Sequence, residues 1–103
     1  MREKKRWMLI GIQAEEGQKL AGADARLAVN EALFSFLGEV GAAKAQARVY
    51  EFDQAKQALL LRCSLHSLEE VIAALMLKRF FHAKPIALRL QKLAGSAGSI
   101  WPA

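Results

Sequence analysis

The chain has 103 residues, of which 53% are hydrophobic and 24% are charged. This length provides for one domain with a single core, and the hydrophobic share excludes an intrinsically disordered chain. Fifteen lysines and arginines against ten acidic residues give a net charge of +5. A compact basic domain attracts polyanions, and nucleic acid is the common one. Composition and charge therefore indicate a small folded domain with an anionic partner.

Few features indicate the cellular compartment. Cys63 is the only cysteine, which excludes an internal disulfide. The apolar run that follows the basic start, Met8–Ile12, is too short for a signal-peptide core or a membrane span. We therefore expect a soluble, cytoplasmic protein that makes no contact with membranes.

The first predicted elements are a strand and a helix. Trp7–Ile12 is an apolar run of strand length. Asp24 is the expected N-cap of a helix that runs to about Leu37 with the periodicity of an amphipathic helix. Gly38 and Gly41 end this helix.

The second half of the chain predicts a hairpin, a helix and a strand. Ala45–Asp53 and Gln57–Cys63 are the two strands of the hairpin. Ser67 and Glu70 form a capping box, which opens a second helix ending near Arg79 or Phe81. The last strand is Ile86–Leu93, and the Gly- and Ser-rich residues 94–103 form a flexible tail.

The order of these elements is β-α-β-β-α-β, which predicts an α+β fold. With right-handed crossovers this order gives a ferredoxin-like or RRM-like sandwich, in which two helices cover one face of a four-stranded antiparallel sheet. No linker or internal repeat divides the chain, so residues 1–103 form a single domain.

The two central strands of this sheet are apolar on both faces. In the first strand, Trp7 and Leu9 point one way while Met8 and Ile10 point the other. In a sheet with one solvent-exposed face, apolar and polar residues should alternate along each strand instead. Either the tail or the loop at residues 13–22 covers the second face, or a protein partner does; we favour a partner. The residues expected at the partner surface are Trp7, Leu77, Phe80 and Phe81.

Catalytic chemistry finds little support in the residues. Cys63 and His66 have C-x-x-H spacing, but a zinc site needs four ligands and only His82 remains. Nothing in the spacing brings His66 and His82 together as an acid–base pair. The loop after the first strand, residues 11–17, has no arginine and two acids, which argues against a phosphate-cradling enzyme. We predict no catalytic residue and no metal site.

Phosphate contacts are the remaining basis for binding nucleic acid. The third strand carries no aromatic residue for base stacking, whereas Tyr50 and Phe52 share a face with Arg48 on an edge strand. We therefore expect electrostatic contacts with phosphates rather than base readout on the sheet. The candidate cations are Arg2, Lys4, Lys5, Arg6, Lys44, Arg48, Arg62, Lys84 and Arg89.

Several segments, in the right order, resemble archaeal ribonuclease P protein component 2, the Pop-five subunit family. They are Arg2–Trp7, Gly38–Asp53, Leu61–Ser64, Lys84–Arg89 and Gly98–Ile100. The chain departs from the family pattern at its end, where Ser99 replaces a threonine and Trp101-Pro102-Ala103 replaces basic residues. Contacts made by a basic tail are therefore not expected.

This resemblance implies a subunit of the ribonucleoprotein that removes the 5′ leader of precursor tRNA. In that family the RNA component carries out hydrolysis with Mg²⁺, and the protein, which binds no cofactor and has no activity alone, stabilises the catalytic domain of the RNA. The implied partners are ribonuclease P RNA and the TIM-barrel subunit, protein component 3. A homodimer within a two-plus-two heterotetramer is also implied.

Two alternatives belong to other functional classes. The first is a ferredoxin-like scaffold or regulatory module that oligomerises and binds no RNA. The second is a stand-alone nuclease that would cleave RNA without an RNA component.

Overall fold

A computed structural model of the chain describes residues 4–15 and 18–102. The elements are β1 (Lys5–Ala14), α1 (Gly22–Ala45), β2 (Arg48–Asp53), β3 (Ala58–Ser64), α2 (Leu68–Met76), β4 (Phe80–Phe81) and β5 (Lys84–Ala94). Two short 3-10 helices lie at Leu65–Ser67 and Ala97–Ser99. The strands form one antiparallel sheet in the order β2-β3-β1-β5-β4.

The predicted four-stranded sheet is wrong by one strand. Phe80 and Phe81 form β4, which pairs with the first residues of β5, and α2 ends earlier than predicted, at Met76. His82 and Ala83 connect the two strands with φ angles of 51° and 64°, as in a type I′ hairpin turn. Because neither residue is glycine or asparagine, the sequence lacks the usual signal for this turn.

Helix α1 contains a break at the predicted position but does not end there. Gly38 has φ 73° and ψ 178°, a combination of positive φ and extended ψ that only a residue without a Cβ adopts readily. The chain then resumes helical geometry as far as Ala45, so β2 begins later than predicted, at Arg48. The expected N-cap, Asp24, lies inside the helix, because Ala21 occupies the cap position.

The predicted capping box also fails. Ser67 is the N-cap of α2 but makes no side-chain hydrogen bond there. The 3-10 helix Leu65–Ser67 leads directly into α2, so the backbone is already helical before the first residue of α2. Despite the 24 residues of α1, no helix in the described part of the chain is long and apolar enough to cross a membrane.

The main core lies between the helices and one face of the sheet. Small and branched residues of α1 pack with α2 and with alternate residues of β1, β3 and β5. The fully or nearly buried members include Met8, Ile10, Ala25, Ala28, Val29, Leu33, Leu59, Leu61, Val71, Leu75 and Leu88. Each large aliphatic side chain buried here contributes about 1.5–3 kcal/mol.

A second, smaller apolar cluster covers the other face of the sheet. Leu9, Leu60 and Ile100 are buried in it, and Trp7 and Trp101 pack against them. The segment predicted to be a flexible tail therefore forms a 3-10 helix and packs on the sheet. Of the two alternatives left open by the sequence, coverage by the chain itself accounts for the apolar second face of the central strands.

Candidate nucleic-acid interface

Most of the predicted RNA-binding cations meet at one end of the sheet. Arg48, Arg62 and Trp7 lie opposite one another on β2, β3 and β1. At this end β1 and β2 begin, while β3 and β5 end. The group of cations located here is called the basic end: Lys4, Lys5, Arg6, Lys44, Arg48 and Arg62.

Helix α1 contributes to the basic end through its last turn, which carries Lys44. Just beyond it, Gln46 adopts a left-handed conformation, and its Oε1 accepts a hydrogen bond from Lys5 Nζ. The Arg6 guanidinium donates to the carbonyl oxygen of Lys5 over 2.9 Å. The helix end and the start of β1 are therefore joined directly.

The other predicted cations lie elsewhere. Lys84 begins β5 beside the β4 hairpin, at the opposite end of the sheet from Ala94. Arg89 is opposite Gly11 in mid-sheet, and its Nε donates to Gln13 Oε1 over 2.8 Å. Arg2 lies outside the described residues. The structure therefore does not bring Lys84 and Arg89 together with the basic end.

Two arginines and two aromatic residues of the basic end form a stacked cluster: Arg48, Tyr50, Arg62 and Trp7. The Arg62 guanidinium lies 4.8 Å from the Tyr50 ring centroid and 5.5 Å from the Trp7 ring centroid. Arg48 lies 5.3 Å from the Tyr50 ring. The two rings are 4.9 Å apart and tilted by 58°. Such cation–π contacts hold flexible arginine side chains in place.

A β-bulge at Tyr50 leaves this ring in the cluster and turns the following residues to the other face. Val49 pairs with Leu61 and Glu51 pairs with Leu60, which leaves Tyr50 as the extra residue. The bulge shifts the alternation of side chains by one, so Phe52 packs against the helix-side core instead. The prediction that Phe52 shares a face with Arg48 is wrong for this reason. Simple alternation along the sequence carries no signal for the bulge.

The cluster concentrates positive charge. Within residues 4–15 and 18–102, no carboxylate lies within ion-pair distance of Arg48 or Arg62. Arg62 Nε is buried and has no hydrogen-bond partner. Arg26 fixes the neighbouring strand by donating to the carbonyl oxygen of Val49 over 2.7 Å.

The residues considered for metal or acid–base chemistry are separated. Cys63 is fully buried, and burial raises the pKa of its thiol to about 11 against a smaller opposite effect of the Lys5 charge. His66 Nδ1 is hydrogen-bonded to Ser64 Oγ over 2.7 Å. His82 stacks on Phe81 in the β4 hairpin, at the other end of the sheet. The C-x-x-H pair and His82 therefore do not share a site.

The predicted partner residues divide between surface and core. Leu77 and Phe80 are 49% and 58% exposed. Phe36 lines the same groove as these two residues, and Met76 lies beside Phe80 in the adjoining groove, so the four form an apolar patch. Phe81 is only 5% exposed and belongs to the main core, so its prediction as a partner residue is wrong. Trp7 is half-buried on the opposite face of the sheet.

A protein-family model agrees with this architecture. The model of the Rpp14/Pop5 family matches residues 6–100, which include every strand of the sheet apart from Lys5, the first residue of β1. The chain belongs to the Rpp14/Pop5 family. The resemblance drawn from the sequence is confirmed at the level of the family, and the chain is a protein subunit of the ribonuclease P type.

A solved structure shows the same fold as this Rpp14/Pop5 family member. A chain in a cryo-EM structure of yeast ribonuclease MRP aligns with a TM-score of 0.76 at 10% sequence identity. The alignment covers 93% of this chain and 77% of the yeast chain. No curated protein sequence is significantly similar to the chain. The family match includes Arg6, Lys44, Arg48 and Arg62 of the basic end.

Proposed function

We propose that the chain is a Pop5-type subunit of ribonuclease P, and that it binds the RNA component and stabilises its catalytic domain. The RNA, with Mg²⁺, removes the 5′ leader of precursor tRNA in the cytoplasm. The observation that carries this proposal is the Rpp14/Pop5 family match over residues 6–100. The order β2-β3-β1-β5 of the long strands supports a ferredoxin-like arrangement for this subunit.

The basic end is the proposed RNA contact. Its cations come from three strands and the end of α1, so a rigid framework holds them at fixed spacing. Lysines and arginines that neutralise phosphates release counterions and supply most of the salt-dependent affinity for RNA. Phosphate contacts of this kind orient a protein on RNA without reading its sequence.

The apolar patch is the proposed contact with the TIM-barrel subunit. Leu77 and Phe80 are about half exposed and flank a groove of about 310 Å³ between α1, the end of α2 and the β4 hairpin. Large exposed apolar side chains that lie together mark protein contacts more often than isolated ones do. We also propose that two copies of each subunit assemble as a heterotetramer.

The test is cleavage of a precursor tRNA by the ribonuclease P RNA at limiting Mg²⁺. The RNA is assayed alone, with this protein, with the TIM-barrel subunit, and with both proteins. We expect cleavage to require the protein pair and the RNA together. The proteins without RNA should leave the substrate intact.

Two outcomes contradict the proposal. If this protein leaves cleavage by the RNA and the TIM-barrel subunit unchanged, the subunit role fails and the scaffold alternative takes its place. If the purified protein cleaves the substrate and a His66→Ala/His82→Ala variant does not, the chain is a nuclease in its own right.

A further inference from the structure

The stacked cluster has features that an electrostatic surface does not need. In this cluster the guanidinium groups of both Arg48 and Arg62 lie against the Tyr50 ring, at 5.3 Å and 4.8 Å from its centroid. A surface that only attracts phosphates works as well with mobile lysines, which are compact point charges. Here the arginines are held against aromatic rings, so their planes and donors have fixed positions.

The two guanidinium groups are placed unfavourably for the protein alone. Both positive charges lie about 5 Å from the Tyr50 ring centroid, and within the described ranges no carboxylate pairs with either of them. Burial of Arg62 Nε without a hydrogen bond adds a further cost. A bound phosphate compensates this positive charge, because it accepts bidentate hydrogen bonds from arginine.

One side chain of the cluster is accessible to a ligand. Arg48 is exposed, whereas Tyr50, Arg62 and Trp7 are half-buried. A planar ligand can therefore stack on the exposed guanidinium plane of Arg48, because nucleobases stack on guanidinium planes as well as on aromatic rings. Bases inside a duplex expose only their edges, so such stacking requires an unpaired base.

We propose that the stacked cluster is a binding site for one unpaired nucleotide of an RNA strand. The base stacks on the guanidinium plane of Arg48, which the Tyr50 ring supports from below, and the phosphate accepts hydrogen bonds from the guanidinium groups of Arg48 and Arg62. The inference rests on the proposed RNA-binding function and adds that the RNA contributes a single-stranded residue here. Trp7 and Tyr50 hold Arg62 in position.

The test compares binding of two labelled RNAs to the full chain by fluorescence anisotropy. One is a single strand of about eight nucleotides, within the usual site size for single-strand binding. The other is the same strand annealed to its complement. The variants are Tyr50→Leu, which removes the ring, and Arg48→Lys, which keeps the charge and removes the guanidinium plane. Arg79→Lys, at an exposed arginine outside the cluster, is the matched control.

We expect Tyr50→Leu and Arg48→Lys to weaken single-strand binding about fivefold or more, the usual effect of losing one stacked base. Both variants should bind the duplex with unchanged affinity, and Arg48→Lys should keep the salt dependence of the unmodified chain. The control Arg79→Lys should bind both RNAs with unchanged affinity. If the two variants bind the single strand as tightly as the unmodified chain, or lose duplex binding equally, the inference is overturned while RNA binding itself stands. If no RNA binds the unmodified chain, the proposed function fails as well.

A second readout does not depend on the folding of Tyr50→Leu. The chain has two tryptophans, so a Trp101→Phe variant reports the environment of Trp7 alone. Single-stranded RNA should change the Trp7 fluorescence of this variant, and the duplex should not. Equal changes with both RNAs, or none with the single strand, contradict the nucleotide site.

Discussion

Phe80 and Phe81 are neighbours in the sequence and lie on opposite sides of β4. Phe80 is 58% exposed, whereas Phe81 is 5% exposed and packs in the main core. Successive residues of a strand point to opposite faces, so the short strand separates two identical side chains into a surface role and a structural role. A helix continuing through these residues, as the sequence suggested, would not separate them in this way.

The different positions of these two side chains predict effects of very different size for the same substitution. Phe81→Ala should lower the free energy of unfolding by about 3–5 kcal/mol, because it leaves a cavity in the core. Phe80→Ala should change it by less than about 0.5 kcal/mol. Urea denaturation followed by circular dichroism measures both. Similar losses for the two variants would show that β4 does not separate the side chains.

Charge reversal at the basic end should weaken RNA binding more than reversal elsewhere. In the triple variant Lys4→Glu/Lys5→Glu/Arg6→Glu we expect the dependence of log affinity on log salt to flatten, by about 0.9 for each lost duplex phosphate contact. The variant Lys19→Glu/Lys56→Glu/Lys84→Glu has the same net charge, with its changes remote from the basic end. Filter binding across a salt series distinguishes the two, and equal effects would mean that only net charge matters.

The raised pKa of Cys63 predicts a specific loss of stability at alkaline pH. The unfolded thiol loses its proton near pH 9.0, whereas the folded thiol keeps it until about pH 11. Above pH 9.0 the unfolded state therefore binds fewer protons, and the free energy of unfolding falls as the pH rises through this window. Below pH 9.0 the protonated Cys63 thiol makes its full contribution to the free energy of unfolding.

The comparison that isolates this effect is Cys63→Ala, because all other ionisable groups are common to both proteins. The unmodified chain should lose on the order of 1–2 kcal/mol more than Cys63→Ala between pH 9.0 and about pH 11. Denaturation midpoints at several pH values provide the measurement. Parallel pH profiles would show that burial does not restrain ionisation of Cys63.

The turn of the β4 hairpin offers a stabilising substitution. Ala83 has φ 64°, which costs an alanine about 1–2 kcal/mol. Ala83→Gly should therefore raise the free energy of unfolding by about 0.5–1 kcal/mol after the entropy cost of glycine. Ala73→Gly on the exposed side of α2 is the control and should lower it by about 1 kcal/mol. Thermal denaturation measures both, and destabilisation by Ala83→Gly would rule out the left-handed turn.

Much of the fold follows from local sequence patterns. The apolar runs around Ile10 and Leu59 predict central strands, and the periodicity around Val29 predicts the helix that covers them. The strand signal is strong because the apolar runs are continuous. The helix signal is weaker, because the buried face of α1 carries alanines such as Ala28 while Leu27 and Phe34 are exposed. The break at Gly38 is also predictable, since glycine favours the conformation found there.

The features that shape the candidate site depend on tertiary contacts. The bulge at Tyr50 arises from pairing with β3, and no residue type there signals it. The turn at His82 and Ala83 lacks glycine, so only the pairing of Phe81 with Lys84 identifies it. The gathering of Lys44 with the strand cations follows from the continuation of α1 past Gly38, which a glycine normally argues against.

The C-terminal cover of the sheet has a consequence for the order of folding. Ile100 and Trp101 lie outside the five strands, so the sheet can pair completely while Leu9 and Leu60 are still uncovered. Until these two residues pack, the folding chain presents an apolar sheet face in addition to its apolar patch. Aggregation during folding should therefore be greatest before the C-terminal residues have packed on the sheet.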